Sequence, residues 1–282
     1  MMNSYFEDLV QHLSKIYEPR EARNISKLLF EDVFQINKPE EESTFKAEWV
    51  PIYEDAKKRL LQSEPLQYIT GRADFYGYVF KVSPEVLIPR PETEELVYTC
   101  LQIIKSFASD TVQVLDVGTG SGCIPISLKK EHPSVSVKGI DVSQGALAIA
   151  QENARLLAAE VSFQQFDFQN QALWAELGQY DMLVSNPPYI PTKEKQLMES
   201  NVLDYEPHLA LFVDNDKPLL FYELLAQFCK NGLRPGGHLL VETNQYNAKD
   251  VQQLFEQHDL VDVEILQDMM GNDRIVQARK VS

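Results

Sequence analysis

Val114-Leu115-Asp116-Val117-Gly118-Thr119-Gly120-Ser121-Gly122-Cys123 is the most informative run in the chain. Its first four residues read as a buried strand, and Ile124–Lys129 beyond it reads as a helix. A strand that enters a glycine-rich turn and opens a helix is the first half of a βαβ unit. Glycine lets the backbone bend sharply and lets a ligand come close. The open N–H groups at the helix start favour a negatively charged group. Dinucleotide sites use the spacing GxGxxG. Here the spacing is GxGxG, with Cys123 at the sixth position. That spacing suits a ligand carrying a carboxylate and an adenosine but no phosphates.

Outward from this turn the pattern alternates. Strand-like runs are Val112–Val117, Val135–Ile140, Val161–Phe166, Met182–Ser185, His238–Glu242, Val261–Leu266 and Arg274–Ala278. Helical patterns separate most of them, as in Gln144–Leu157 and Leu219–Cys229. This alternation predicts an α/β fold with a mostly parallel seven-stranded sheet, Rossmann-like and covered on both faces. The last two runs are joined only by Gln267–Asp273, too short for a parallel crossover, so the final strand is expected to be antiparallel.

The first part of the chain differs. Apolar residues recur at helical spacing in Tyr5, Phe6, Leu9, Val10 and Leu13, then in Ile25, Leu28, Leu29, Val33 and Phe34, with prolines between the pieces. We expect a small helical domain over 1–72. The aromatic and β-branched run Asp74–Val82, with Gly77 at its centre, predicts a hairpin within a connector over 73–91. The α/β domain then spans 92–282.

Three further motifs follow strands. Gly139-Ile140-Asp141 places a carboxylate where it can accept hydrogen bonds from a ribose diol, a group that NAD and S-adenosylmethionine share. A surface acid capping the next helix is the simpler alternative. Gln165-Phe166-Asp167-Phe168 offers an acid and an aromatic ring for an adenine. Asn186-Pro187-Pro188-Tyr189 comes directly after a strand. Its prolines stiffen the turn. Asn186 supplies a side-chain carbonyl, Pro187 a backbone carbonyl, and Tyr189 a flat face for a planar group. Two acceptors and a flat face suit a planar amide or amine nitrogen, and catalysis would rest on Asn186, Pro187 and Tyr189.

Composition narrows the partners. The formal net charge is −16, which disfavours a partner held mainly by phosphate contacts. No direct nucleic-acid partner is expected. Cys100, Cys123 and Cys229 form no CxxC pattern, and the five histidines show no metal spacing. No metal is expected, and the cytoplasm is the natural compartment. The N-terminus does not read as a signal peptide, and no run is apolar enough for a membrane span. A monomer is expected. Trp49, Trp174 and the Met269-Met270 pair are expected to be packing residues, and Glu40-Glu41-Glu42 a solvated run.

Pro65-Leu66-Gln67-Tyr68-Ile69-Thr70-Gly71, Leu87-Ile88-Pro89-Arg90-Pro91-Glu92-Thr93-Glu94 and Tyr205-Glu206-Pro207 with Ala210-Leu211 add to these motifs. Together they resemble the PrmC/HemK family, the peptide chain release factor glutamine methyltransferases, over nearly all of the chain from residue 65. The resemblance implies transfer of a methyl group from S-adenosyl-L-methionine to the side-chain nitrogen (N5) of the glutamine in the Gly-Gly-Gln motif of release factors. It implies a cofactor site of Gly118, Thr119, Gly120, Ser121, Gly122, Asp141, Asp167, Phe168 and Asn186. It implies a glutamine site of Asn186, Pro187, Pro188 and Tyr189, with Arg90, Glu92 and Thr93 shaping the pocket from the connector. Glu242–Tyr246 lacks the glycine the family commonly has two residues after that glutamate, and Asp214–Pro218 lacks the usual Asp-Gly-Leu; both departures are expected to affect local loop shape rather than the activity. Adenine-N6 methylation of a flipped nucleic-acid base uses the same Asn-Pro-Pro-Tyr arrangement and is the alternative. A dinucleotide oxidoreductase fits neither the glycine spacing nor Asn186-Pro187.

Overall fold

The computed structural model describes residues 5–39, 45–107, 111–198 and 200–281. The acidic run Glu40-Glu41-Glu42 lies outside them. Contacts divide the chain into two units, Met1–Arg72 with Glu199–Tyr205, and Ala73–Met198 with Glu206–Ser282.

The first unit is helical: α1 (Tyr5–Leu13), α2 (Pro19–Phe34), α3 (Val50–Leu61) and α4 (Leu66–Thr70). Proline stands at the first turn of α2, where its missing N–H costs nothing. The apolar faces of these helices meet in a core built on Phe6, Leu9, Leu13, Leu29, Phe30, Tyr53 and Leu60. Trp49 packs on its edge, against Phe34 and Phe45. The Tyr53 hydroxyl donates to Asp8 Oδ2 at 2.6 Å, so the one polar atom of this buried ring is satisfied.

The second unit begins at Ala73, one residue into the hairpin of β1 (Arg72–Phe75) and β2 (Tyr78–Lys81), and continues with α5 (Pro91–Ser106). An α/β run follows: β3 (Gln113–Val117), α6 (Cys123–Glu131), β4 (Ser136–Asp141), α7 (Gln144–Leu156), β5 (Ser162–Gln165) and β6 (Tyr180–Ser185). Then come β7 (Ile190–Pro191), α8 (Ser200–Tyr205, part of the first unit), α9 (His208–Leu211), β8 (Phe212–Val213) and α10 (Leu220–Gly232). The chain continues with β9 (Leu233–Glu242), α11 (Ala248–Gln257), β10 (Leu260–Gln267) and β11 (Asp273–Lys280).

The sheet has seven strands in the order β10-β11-β9-β6-β3-β4-β5. Pairings among β9, β6, β3, β4 and β5 are parallel, while β11 is antiparallel to both β9 and β10. The α/β class and the antiparallel final strand are therefore as expected. The short turn explains the antiparallel β10–β11 pair; β11 then lies between β10 and β9. Two apolar clusters carry the fold. One joins Leu115, Ile140, Leu183, Leu239 and Val241 to α10 and α11, and the other joins Val114, Val137, Met182 and Leu240 to α5 and α6.

Phe75 and Phe80 bring the hairpin into the second of these clusters. Asn153 of α7, fully buried, ties the hairpin down. Its Oδ1 accepts from Lys81 N at 2.6 Å, and its Nδ2 donates to Lys81 O at 3.0 Å and to Ser121 O at 2.9 Å. One amide thus braces both the hairpin and the glycine turn.

Met269 and Met270 are not core filler: they are 92% and 85% exposed. The turn that carries them is held through its backbone. Asp268 Oδ1 accepts from Met270 N at 3.0 Å and Asn272 N at 2.8 Å, and Met269 N donates to Glu95 Oε1 at 2.9 Å. With the main chain fixed inward, both side chains are left outside.

Candidate active site

Chain order reverses direction across the sheet at β3. From there β4 and β5 lie on one side and β6 and β9 on the other. Ligands in such sheets bind at the carboxyl ends of the strands beside this switch point. Those ends carry the four motifs read after strands. The glycine turn follows β3, Asp141 ends β4, Asp167-Phe168 follows β5, and Asn186-Pro187 follows β6.

The turn after β3 is bound to the neighbouring strand. Gly118 N and Thr119 N both donate to Ile140 O, at 2.9 and 3.0 Å, and Gly120 N donates to Asp141 Oδ2 at 2.9 Å. Gly118 and Gly120 have φ of 77° and 54°, left-handed values that L side chains rarely adopt. No atom lies within 4 Å of a Cβ built on either. On the other flank, Ser185 Oγ donates to Val117 O at 2.7 Å and fastens the end of β6 to the end of β3.

A cavity of about 230 Å³ opens between these ends. Gly118, Thr119, Gly120, Ser121, Asp141, Asp167, Phe168, Asn186, Pro187 and Pro188 line it, with Arg90 and Thr93. Gly122, Glu92 and Tyr189 do not line it. Gly122 caps α6, and a Cβ there would lie 3.1 Å from that of Ala150. Tyr189 packs against the core, and burial pushes its phenol up from the usual range. Phe168 is buried and presses on Trp174 and Phe228, with ring centroids 5.4 Å away in both cases. Trp174 is thus a packing residue, as expected, and its indole N–H donates to Phe168 O at 2.9 Å.

Polar atoms under the turn are left over. Thr119 Oγ1, Ser121 Oγ and both carboxylate oxygens of Asp116 are buried without a partner at hydrogen-bonding geometry. Burial pushes the Asp116 carboxyl up to about 7, although the nearby Thr119 hydroxyl lowers it in part and Asp141 raises it further. Burial also raises the Asp141 carboxyl, against the pull of the Ser143, Gly120 and Val142 N–H groups.

On the far side, a buried chain runs behind Asn186. Asn186 Nδ2 donates to Thr93 Oγ1 at 3.1 Å, and Thr93 Oγ1 donates to Glu242 Oε2 at 2.6 Å. Glu242 ends β9 and is buried; the missing family glycine falls two residues beyond it, at Asn244. Arg90 reaches Glu206, whose Oε2 also accepts from Ile88 N at 3.2 Å. Glu242, Asn153 and Ser185 are the residues that motif reading missed. The only sequence signal for Glu242 is an acid closing the apolar run Leu239-Leu240-Val241.

Residues 98–204 match the family model described as the methyltransferase small domain. The chain is 41% identical to the release factor glutamine methyltransferase of Bacteroides thetaiotaomicron, over 99% of this chain and all of that one. It is 37% identical to the release factor glutamine methyltransferase of Flavobacterium psychrophilum, over 98% of each. The chain belongs to the release factor glutamine methyltransferase family. Among solved structures, the 16S rRNA N2 G1207 methyltransferase of T. thermophilus has the same fold, with a TM-score of 0.54 and 18% identity over 74% of this chain and 49% of that one. Among the described residues no helix is long and apolar enough to cross a membrane.

Proposed function

We infer that this protein transfers a methyl group from S-adenosyl-L-methionine to the side-chain amide nitrogen, N5, of the glutamine in the Gly-Gly-Gln motif of peptide chain release factors. The observation that carries the reading is the Asn186–Thr93 hydrogen bond at the mouth of β6. With Nδ2 engaged, Oδ1 is the atom that Asn186 offers to a substrate.

The residues present fit the methyl donor. Buried Thr119 and Ser121 hydroxyls need partners, and a nucleoside with an amino-acid tail supplies them. Gly118 and Gly120 leave room for close approach. Asp141 suits the ribose diol, Asp167 the adenine amino group, and Phe168 the adenine ring. When bound, the cofactor supplies an electrophilic methyl group on a sulfonium.

An amide nitrogen is a poor nucleophile because its lone pair is delocalised into the carbonyl. Asn186 Oδ1 and Pro187 O can each accept one N–H of the glutamine amide. Two acceptors on one side draw the nitrogen away from planarity and turn its lone pair toward the methyl donor. Fixed dipoles of this kind act at no reorganisation cost during the reaction. Alignment supplies the rest, and as the sulfur–methyl bond gives way to the nitrogen–methyl bond the amide releases one N–H proton to solvent. Pro188, Arg90 and Thr93 shape the glutamine's surroundings, while Tyr189 and Glu92, off the cavity wall, support them from behind. A reducing cytoplasm fits three free, buried cysteines.

The test is incubation with labelled S-adenosylmethionine and a release factor, followed by peptide mapping. Label on the Gly-Gly-Gln peptide is expected. Its absence there, with label entering DNA or RNA instead, would favour adenine as the target. In parallel, Asn186→Ala should lower kcat by at least about 100-fold while leaving cofactor Kd nearly unchanged.

A further inference from the structure

We propose that Glu242 is a positioning residue, acting through the Thr93 hydroxyl to fix which end of the Asn186 side-chain amide faces the substrate. The proposal rests on the reading of Asn186 Oδ1 as the acceptor of the substrate N–H.

The argument is one of hydrogen-bond polarity. An ionised carboxylate can only accept. Thr93 has a single hydroxyl proton, and at 2.6 Å that proton is given to Glu242 Oε2. What remains on Thr93 Oγ1 toward Asn186 is lone pairs, so the amide must turn its Nδ2 to Thr93, as found at 3.1 Å. Oδ1 is thereby committed to the cavity side. The reversed amide would present N–H to a substrate nitrogen that itself has only N–H to offer.

The arrangement depends on the charge of Glu242. Protonated, Glu242 becomes a donor, and Thr93 is then released to give its proton to Asn186 Oδ1. Burial raises the Glu242 carboxyl to about 7, which brings this change within reach of ordinary pH. The groups that face it are Arg274 of β11, Glu92 and Thr93 of α5, and Asn186. Tyr189, Tyr222 of α10 and Cys123 of α6 also feel its charge. Arg274 lowers the carboxyl's pKa and Glu92 raises it. Tyr222 anchors the same residue by donating to Glu242 O at 3.1 Å. Glu242 does not line the cavity, so its influence passes through Thr93 and Asn186.

The experiment uses Glu242→Gln, which keeps the shape but removes the acceptor-only character, in the full chain with S-adenosylmethionine and a release factor. The expected result is a kcat at least about tenfold lower, with cofactor Kd and KM for the release factor little changed. Wild-type kcat should fall as pH drops through about 7, and this limb should vanish in Glu242→Gln. Thr93→Val should reproduce the loss, and Thr93→Ser should recover most of it. Should Glu242→Gln not fold, the Thr93 pair carries the same comparison. Wild-type kcat and an intact acidic limb in Glu242→Gln, with Asn186→Ala inactive, would overturn the relay alone; full activity in Asn186→Ala would overturn the reading of Asn186. A readout independent of substrate is the Asn186 Nδ2 signal in protein labelled with ¹⁵N-asparagine. It should shift with pH around the Glu242 titration in wild type and not in Glu242→Gln. A signal blind to pH overturns the relay whatever the substrate is.

Discussion

Asp141 accepts a hydrogen bond from the backbone N–H of Gly120 across 2.9 Å, so the carboxylate that ends one strand holds the glycine turn of the strand beside it. Its other oxygen accepts from Ser143 N, also at 2.9 Å. Asp141 thus shapes the turn as well as standing where a ribose would bind. Asp141→Ala should remove both effects. Cofactor Kd should rise on the order of 10- to 100-fold, about 1.4 to 2.7 kcal/mol. Isothermal titration calorimetry measures this directly, and an unchanged Kd would show that Asp141 does neither job.

Gly120 and Gly178 make a matched pair. Both have positive φ, 54° and 79°, and both have open space where a Cβ would go. Only Gly120 lines the cavity. Alanine at either should cost about 1 kcal/mol in backbone strain, a fall of a few degrees in Tm. Gly120→Ala should in addition weaken cofactor binding, whereas Gly178→Ala should not. Equal Kd values in the two variants would refute the placement of the cofactor against this turn.

Asp116 gives a pH dependence of stability with a definite sign. Its carboxyl sits at about 7 in the folded protein, above the 3.8 of an exposed aspartate, because burial disfavours the charge. The folded state therefore holds the proton more tightly than the unfolded chain. The stability this contributes is complete below about pH 4 and is lost as pH rises through about 7. Asp116→Asn removes the titration. Relative to wild type, the variant should gain on the order of 1 to 3 kcal/mol between mildly acidic and mildly alkaline buffer. Urea unfolding at the two pH values measures the difference, and a pH-independent difference counts against the buried charge.

Glu206 joins two parts of the second unit. Its side chain is 1% exposed and takes hydrogen bonds from Arg90 and from Ile88 N. Glu206→Ala leaves the Ile88 N–H without its acceptor, at a cost of about 1 to 3 kcal/mol. Amide exchange over 84–91 should speed up more than exchange in β3 or β4. Uniform change across the unit would point to global destabilisation instead.

The sheet and most of the site could be read from the chain because their signals are local. Val114–Cys123 shows strand, turn and helix within ten residues, and the seven-residue stretch Gln267–Asp273 fixes an antiparallel pair. What could not be read depends on distant contacts. Thr93 and Glu242 are separated by 149 positions, and neither neighbourhood hints at the other. The insertion of β11 between β9 and β10 is likewise a pairing choice that periodicity does not encode. Met269-Met270 misled because an apolar pair signals burial only where the backbone is free to turn it inward, and Asp268 holds it the other way.

That inserted strand has a consequence for how the molecule is made. β11 follows both of its partners in the chain, yet it lies between them. Until it has been synthesised, β9 and β10 each present an open edge, and the two could zip to one another in error or capture a strand of a neighbouring chain. The sheet therefore cannot be completed in the order in which it emerges. Folding of this unit must keep β10 aside long enough for β11 to enter, which makes the β10–β11 hairpin, rather than the glycine turn, the step most exposed to aggregation.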